Sequence, residues 1–514
     1  MTLSLVLGTL TSALLRRSRL KWTWGICGVP IGYVLWSIGG GTVALAVVGA
    51  GLLSCLLGHG WHRSELEWGA DIAERARLRT GIRAATLRGL RRLGSRRRAW
   101  VTPLGLEVGR DERGEPARIP VGSGSGIHTL VLGATGAGKT VTETWIACRL
   151  VEAGHGAIAI DPKGDRLLRG ELERAAAAHR RRFVEWTPEG PSAYNPYAHG
   201  SDGEIADKAL AGEHFTEPHY LRQAQRYIGH AVRAMHAAEV ALTPVSLAAH
   251  MDPGRLEVTS RRLEQAQSEL VQGYLDSLGE RERRDLGGVR DRLAIIAESE
   301  AAPWLAPAAG NPELDLLAAV RERAVVYMRL DADRRMLLSQ MLGAAIVGDL
   351  VTIAAANQHD PTPTVVLLDE FAALSAHQVA RLFARARSAG ISLVLGTQEL
   401  ADLQAADEHL RERVLGNIEA LIAHRQNVPE SAELISKLAG SRPAWITTRQ
   451  TEQGLLGSRP GLRGSKTRGH EFELHPSAIK RLGRGKAAVI TPGAGRRPTI
   501  ARIHHPESAH DEHK

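Results

Sequence analysis

The chain has 514 residues, of which 43% are hydrophobic, so it can bury cores for two or three domains and is not a low-complexity or disordered polymer. Its 65 Lys+Arg outweigh 56 Asp+Glu for a formal charge of +9, with a pI near 9.7, which favours an anionic partner such as nucleic acid or phospholipid headgroups without choosing between them. Cys27, Cys55 and Cys148 have neither disulfide-like nor metal-like spacing and suit a reducing interior.

From Trp22 to His59 no Asp, Glu, Lys or Arg occurs, and two apolar runs, Trp24 to Ile38 and Thr42 to Leu57, meet at Gly39-Gly40-Gly41. One helix of that length would be roughly 57 Å long, far beyond a ~30 Å hydrocarbon core, so two helices broken at glycine fit better. The reading is a transmembrane hairpin over about 22–59, its spans borrowing Trp22 and Trp61 at the interface; a buried glycine-rich core element is the alternative. Arg16, Arg17, Arg19 and Lys21 before the pair and Arg63 after it place both ends in the cytoplasm. Leu3 to Leu15 lacks the charged start and cleavage pattern of a signal peptide and reads as an interfacial helix or a third span. Residues 61–100 then carry eleven arginines against four acids, a topology determinant leaning on anionic lipid or a nucleic-acid contact. The segment from Pro103 to Pro120 reads as a short β-hairpin leading into the next domain.

The apolar run Thr129-Leu130-Val131-Leu132 leads into Gly133-Ala134-Thr135-Gly136-Ala137-Gly138-Lys139-Thr140 and then a helix-compatible segment. Strand, glycine loop and helix in this order form a phosphate-binding loop. Glycines let backbone N–H groups turn inward around a polyphosphate, and the helix N-terminus adds partial positive charge. Lys139 reaches the β- and γ-phosphates, and the Thr140 hydroxyl is a Mg²⁺ ligand. Ala157 to Ile160 is another strand, running into Asp161-Pro162-Lys163-Gly164-Asp165, a charged turn that spacing alone does not separate from a plain surface turn. The segment from about 200 to 320, rich in Ala, Leu, Glu and Arg with Pro and Gly punctuation, reads as an all-helical domain inserted between two halves of one α/β sheet.

Thr364 to Leu368 is a compact β-branched run delivering Asp369 and Glu370 to the C-terminal edge of a parallel sheet, where ligands of open α/β sheets collect. Asp369 suits the Mg²⁺ shell, and Glu370 suits the polarisation of the water that attacks the γ-phosphate. The next strand, Ile391 to Gly396, ends in Thr397-Gln398, whose neutral amide can sense the γ-phosphate or orient water. Between these strands, Ala376 to Ala389 reads as a helix with Arg381, Arg385 and Arg387; Arg387 is the candidate finger toward a neighbouring subunit's site. From Arg449 to Arg468, arginines alternate with glycines, which makes either a flexible electrostatic contact or a mobile surface insertion.

These boxes together resemble the coupling ATPases of type IV secretion and conjugation, the TraD/TraG-like family, with the RecA-like DNA-translocase superfamily behind it. The resemblance spans roughly residues 100–500. It is carried by Gly133 to Thr140, Asp161-Pro162-Lys163-Gly164, Asn195-Pro196, Leu367-Leu368-Asp369-Glu370-Phe371, Arg387 to Ile391, Thr397-Gln398 and Ile435 to Gly440. It implies an α/β RecA-like P-loop NTPase sheet with an inserted all-α domain, preceded by the transmembrane hairpin. It further implies a hexameric ATPase in the inner, cytoplasmic membrane, its motor in the cytoplasm, using ATP and Mg²⁺ to feed a relaxase-bound single strand of DNA, or protein substrates, to a type IV secretion channel. The helical domain would recognise substrate.

The expected domains are a membrane anchor over 1–61, a basic juxtamembrane segment and hairpin over 62–125, nucleotide-domain halves over 126–198 and 321–503 around the all-α domain at 199–320, and a tail from 504. Tyr197 stands where the family usually has leucine, and the chain stops soon after Ile503-His504-His505-Pro506, so docking functions that relatives place on long acidic tails are not expected. Two readings compete: a translocase of the same superfamily acting on duplex DNA in segregation or repair, and a non-catalytic membrane scaffold that binds nucleotide as a structural ligand.

Overall fold

The structure is a computed structural model that describes residues 2–17, 22–67, 99–122, 124–212, 215, 217–307, 310–374, 376–454, 457–493 and 495–507. Most of the arginine-rich stretch after Arg63 lies outside the described residues. The chain divides into two units, residues 1–95 with 445–469, and the remainder.

In the first unit a helix spans Thr2–Arg17, a 3₁₀ segment Trp22–Cys27 runs into a helix at Gly28–Ser37, and a turn through Gly39 and Gly40 opens the helix Gly41–Glu67. The last two pack with their chain directions opposed. A Cβ at Gly28 would lie 3.0 Å from the Gly51 Cα, and one at Gly32 would press into Val48. Small residues permit that approach. Gly28–Ser37 rises about 15 Å and the 3₁₀ segment about 12 Å. The single described helix whose length and apolarity alone would allow it to cross a membrane is instead Met336–Ala356 in the other unit, and 83% of its apolar window is buried, as in a core helix of a folded domain.

The second unit is built on a 12-stranded sheet. In chain order its strands are β1 (Val101–Thr102), β2 (Gly105–Asp111), β3 (Pro116–Ile119), β4 (Thr129–Leu132), β5 (Gly156–Asp161) and β6 (Phe183–Trp186). A small pair, β7 (Ala193–Tyr194) and β8 (Glu313–Leu314), brackets the helical segment. Then come β9 (Val325–Arg329), β10 (Thr364–Leu368), β11 (Ile391–Thr397) and β12 (Ala420–Ala423). The sheet's last strands are β15 (Lys486–Ile490) and β16 (Thr499–Ile503); β13 (Ser441–Gly454) and β14 (Gly457–Phe472), which precede them in the chain, lie outside this sheet and fall mostly in the first unit.

The spatial order is β1-β2-β16-β15-β12-β4-β11-β10-β5-β9-β6, with β3 on β2. From β12 to β6 every pairing is parallel, whereas β15, β16, β2 and β1 add on antiparallel. The hairpin expected merely to lead into the nucleotide domain is thus part of its sheet, because β2 pairs with β16 and covers an edge that would otherwise be open.

The central strands read as continuous apolar runs because both faces are covered. Leu130, Leu132, Ile158, Ile160, Val366 and Leu368 face the layer that holds the helices Met336–Ala356 and Ala376–Ala386. Val131, Ala157, Ala159, Val365 and Leu367 face Lys139–Glu152 and Arg166–Ala178.

Helices at Asp202–Ala209, Pro218–Ala237, Pro244–Ala249, Pro253–Ser260, Gln265–Asp276 and Glu280–Ala297 gather on a core of their own that includes Tyr197, Tyr227, Leu247, Leu256 and Leu286. The prolines read as punctuation are helix starts, at the position where the missing N–H costs nothing. Lys208 joins this segment to the sheet layer: its ammonium donates to the Pro196 and His199 carbonyls at 3.1 and 2.6 Å and to Asp349 Oδ1 at 2.7 Å, while the Tyr194 hydroxyl donates to Asp349 Oδ2 at 2.9 Å. The described residues of the arginine–glycine stretch 449–468, expected as a flexible contact or a mobile insertion, lie in β13 and β14, which pair as a two-stranded ribbon.

Candidate functional site

The site lies at the C-terminal edge of the parallel strands. After β4 the loop turns through Gly136 at φ +76 and Gly138 at φ +117, the left-handed region that glycine enters without penalty. Gly138 is the N-cap of the helix Lys139–Glu152, and no side chain caps that helix, so its first N–H groups keep the donor set that binds anions. Thr140 follows half-buried in the first turn. β11 separates β4 from β10, and the ends of all three converge.

There Lys139 Nζ contacts Asp369 Oδ1 and lies 3.4 Å from Glu370 Oε1 and 3.9 Å from Glu143 Oε1. Gln398 Nε2 donates to Glu370 Oε1 at 3.2 Å, and the Thr135 hydroxyl donates to Gln398 Oε1 at 3.4 Å. Glu370 holds its carboxylate from a backbone at φ +45, uncommon for a residue with a Cβ. The structure therefore gathers Thr135, Lys139, Asp369, Glu370 and Gln398 from segments more than two hundred positions apart.

Arg387 stands elsewhere. It precedes β11, whose seven residues extend roughly 20 Å, so it sits at the opposite edge of the sheet from its own chain's site. Its guanidinium is 60% exposed and pairs with Glu419 Oε1 at 2.5 Å.

One ammonium faces three carboxyl groups. Burial pulls Lys139 down, but Glu143, Asp369 and Glu370 outweigh it and hold the ammonium above the ordinary lysine value. Burial, with Asp369 second, pushes Glu143 well above the carboxylate range. Burial opposes ionisation of Glu370 as well, yet Lys139 and Lys163 keep it below its usual value.

Glu143 is fully buried and neither carboxyl oxygen has a hydrogen-bond partner. An excess of carboxylates over cations beside an uncapped helix start fits Mg²⁺ and a polyphosphate. Among the described residues no three His, Cys, Asp or Glu could hold a metal by themselves. Mg²⁺ is usually shared between one or two carboxylates and substrate phosphates, and Asp369 stands beside the phosphate loop where such sharing is possible.

The sequence reading passed over Glu143, His424 and Gln426. His424 follows β12; its Nε2 is 2.7 Å from the Thr142 hydroxyl, its Nδ1 is 3.1 Å from the Lys486 carbonyl, and its Cβ is 3.1 Å from where a Gly133 Cβ would be. It is a prop beneath the phosphate loop. Burial pushes its pKa down to about 4, so it is neutral at pH 7. Gln426 Nε2 donates to the Gln398 carbonyl at 3.4 Å. The available signal was the one used at β10 and β11, an apolar strand ending in polar residues.

Gly396 decides how closely these groups meet. A Cβ there would press into Glu143 Oε1 and lie 2.8 Å from Asp369 Oδ1. Gly396→Ala is expected to cost about 1–3 kcal/mol and to displace Asp369; a thermal melt together with a Mg²⁺-dependent nucleotide titration checks both effects, and a variant with unchanged melting and affinity would contradict this packing.

Residues 363–484 match the family described as the TraM recognition site of TraD and TraG. The fold is similar to the bacterial conjugative coupling protein TrwBdeltaN70, unbound monoclinic form, with TM-score 0.53 at 15% identity over 81% of this chain and 91% of that one. It is similar to plasmid coupling protein TrwB in complex with the non-hydrolysable GTP analogue GDPNP, with TM-score 0.53 at 16% identity over 81% and 92%. VirB4 of Thermoanaerobacter pseudethanolicus gives TM-score 0.52 at 13% identity over 79% and 98%. At these identities the likeness is one of fold, a mixed α/β architecture around a large parallel sheet of the RecA-like kind. No curated protein matches the chain in sequence. The matched segment and the fold together bear out the resemblance to type IV coupling proteins.

Proposed function

We propose, on the resemblance to type IV coupling proteins, that this chain is a membrane-anchored ATPase that drives DNA, as a relaxase-bound single strand, or a protein substrate into a type IV secretion or conjugation channel. The observation that carries it is the convergence of Lys139, Asp369 and Glu370 on one spot beside the phosphate loop. TrwB structures in complex with ADP and Mg²⁺ and with a non-hydrolysable ATP analogue have the same fold and support the choice of ligand.

ATP with Mg²⁺ supplies the reacting phosphoryl group and its countercharge. The amides of Gly133 to Gly138 bind phosphate oxygens, and Lys139 neutralises charge as it develops on them. Thr140 and Asp369 would hold the Mg²⁺ ion. Glu370 takes the proton of the attacking water, and Gln398, tied to both Thr135 and Glu370, reports phosphate contact to the catalytic carboxylate. Arg387, at the far edge of its own sheet, serves a neighbour's site in a homo-hexamer.

The amino-terminal helices anchor the protein as a hairpin in the inner membrane, with the motor in the cytoplasm. Support comes from their exposed large apolar side chains, among them Tyr33, Trp36, Ile38, Leu45 and Leu56, in a stretch without Asp, Glu, Lys or Arg. The helical segment within 199–320 recognises substrate.

The test is ATP turnover by the purified full-length protein with and without DNA. Turnover that rises with single-stranded DNA is the expected result. A preference for duplex DNA would favour a segregation or repair translocase, and nucleotide binding without turnover would leave a scaffold.

A further inference from the structure

One charged side chain at the sheet edge has no part in the chemistry above. Lys163 follows β5, the strand beside β10, and its ammonium donates to Glu370 Oε1 at 3.0 Å. Register brings it there: Leu368 lies opposite Ile160, and the Asp369 N–H donates to the Ile160 carbonyl at 3.2 Å, so the turn after Asp161 runs beside Glu370.

The turn itself is held from below. Asp161 is fully buried; its Oδ1 accepts from the N–H groups of Lys163 and Gly164, each at 2.9 Å, and its Oδ2 accepts from the Asp165 N–H at 2.6 Å and the Tyr327 hydroxyl at 2.8 Å. Gly164 takes φ +80, and a Cβ there would meet the Arg329 side chain at 2.8 Å. A solvated surface turn needs no buried carboxylate with four donors, because desolvating that carboxylate is costly unless its lone pairs are used. Here all four donors fix one backbone path, and that path carries one lysine. The Lys163 side chain remains 46% exposed, so the anchor serves placement of the ammonium rather than burial of it.

We propose that Lys163 is a positioning residue for Glu370, holding Oε1 so that Oε2 is turned to the water to be activated; this rests on the reading of Glu370 as the group that takes the proton. Lys163, Lys139 and Gln398 all approach the same oxygen, Oε1. Lys139 and Gln398 come from β4 and β11 on one side, and Lys163 comes from β5 on the other. Without Lys163 the carboxylate is held from one side alone and swings about its strained backbone.

The experiment compares Lys163→Met, Lys163→Arg, Glu370→Gln and the Lys163→Met/Glu370→Gln double variant in the full-length protein, reading kcat for ATP and the Kd of a fluorescent ADP. Lys163→Met is expected to lower kcat about 10- to 100-fold, the scale of a small misplacement of a catalytic group, with the Kd unchanged. Arginine should restore most of the rate, and the double variant should be no slower than Glu370→Gln alone. A Kd that weakens in step with kcat would make Lys163 a phosphate ligand, and failure of arginine to rescue would also overturn the assignment. A wild type that hydrolyses ATP while Lys163→Met matches it removes this role alone; a wild type that hydrolyses none removes the ATPase reading and this role with it.

Discussion

Replacing Lys139 with alanine is expected to bring ATP hydrolysis to background, a loss on the order of 10³-fold, while the protein stays in the membrane fraction. The ammonium is the sole cation within 4 Å of both Asp369 and Glu143 among the described ion pairs, and it is 8% exposed. In so enclosed a place it interacts more strongly with developing phosphate charge than it would in water. Removing it leaves three carboxyl groups facing the same space, so nucleotide affinity is expected to fall as well as rate. Glu370→Gln should behave differently: the amide keeps the shape but takes no proton, so hydrolysis fails while nucleotide is retained. Phosphate release and fluorescent-nucleotide titration on both variants separate the two. A Lys139→Ala protein with a normal rate would reject the site.

The largest effect on stability is expected at Lys208, in the helical segment. Its side chain is 2% exposed and that of Asp349 is fully buried, so Lys208→Met strands an acid inside the protein at a cost of about 3–5 kcal/mol. Lys208→Met/Asp349→Leu should recover most of that, because no unpaired charge remains. Burial already raises the Asp349 carboxyl above its ordinary value despite Lys208. In Lys208→Met that carboxyl therefore folds best in its protonated form. The stability it keeps is complete below its unfolded pKa of about 4 and is lost as pH rises through the raised folded value. Unfolding midpoints against pH for the single and double variants measure this; a single variant as stable as wild type at pH 7 would show that the pair contributes nothing. Since the pair joins the helical segment to the helix Met336–Ala356, loss of substrate response before loss of basal turnover is the accompanying expectation.

The phosphate loop was legible because a backbone that wraps a polyphosphate needs glycine at fixed places, with lysine and threonine directly behind them. Asp369-Glu370 and Thr397-Gln398 were legible for a related reason: buried parallel strands are uniformly apolar, so polar residues at their ends stand out. Glu143 did not stand out. It is one acid in an amphipathic-looking helix, and its importance comes from Gly396, on a strand some 250 positions later, leaving room for its carboxyl. Lys163 was ambiguous because Asp-Pro-Lys-Gly is an ordinary turn until Tyr327 and a neighbouring strand show what the aspartate anchors.

Sequence by itself determined which polar residues stand at the strand ends, the helical character of the inserted segment and the charge-free amino-terminal stretch, since each follows from local composition and spacing. Tertiary structure decided which apolar helix is core. Met336–Ala356 has the length and apolarity of a membrane span, and packing on a sheet face, not composition, makes it interior. It also decided that the hairpin from Gly105 to Ile119 closes the sheet through β16, and that a lysine after β5 meets a glutamate after β10. Those are contacts between segments whose separation along the chain carries no trace of their nearness, because strand order in a parallel sheet is fixed by crossovers and not by sequence distance.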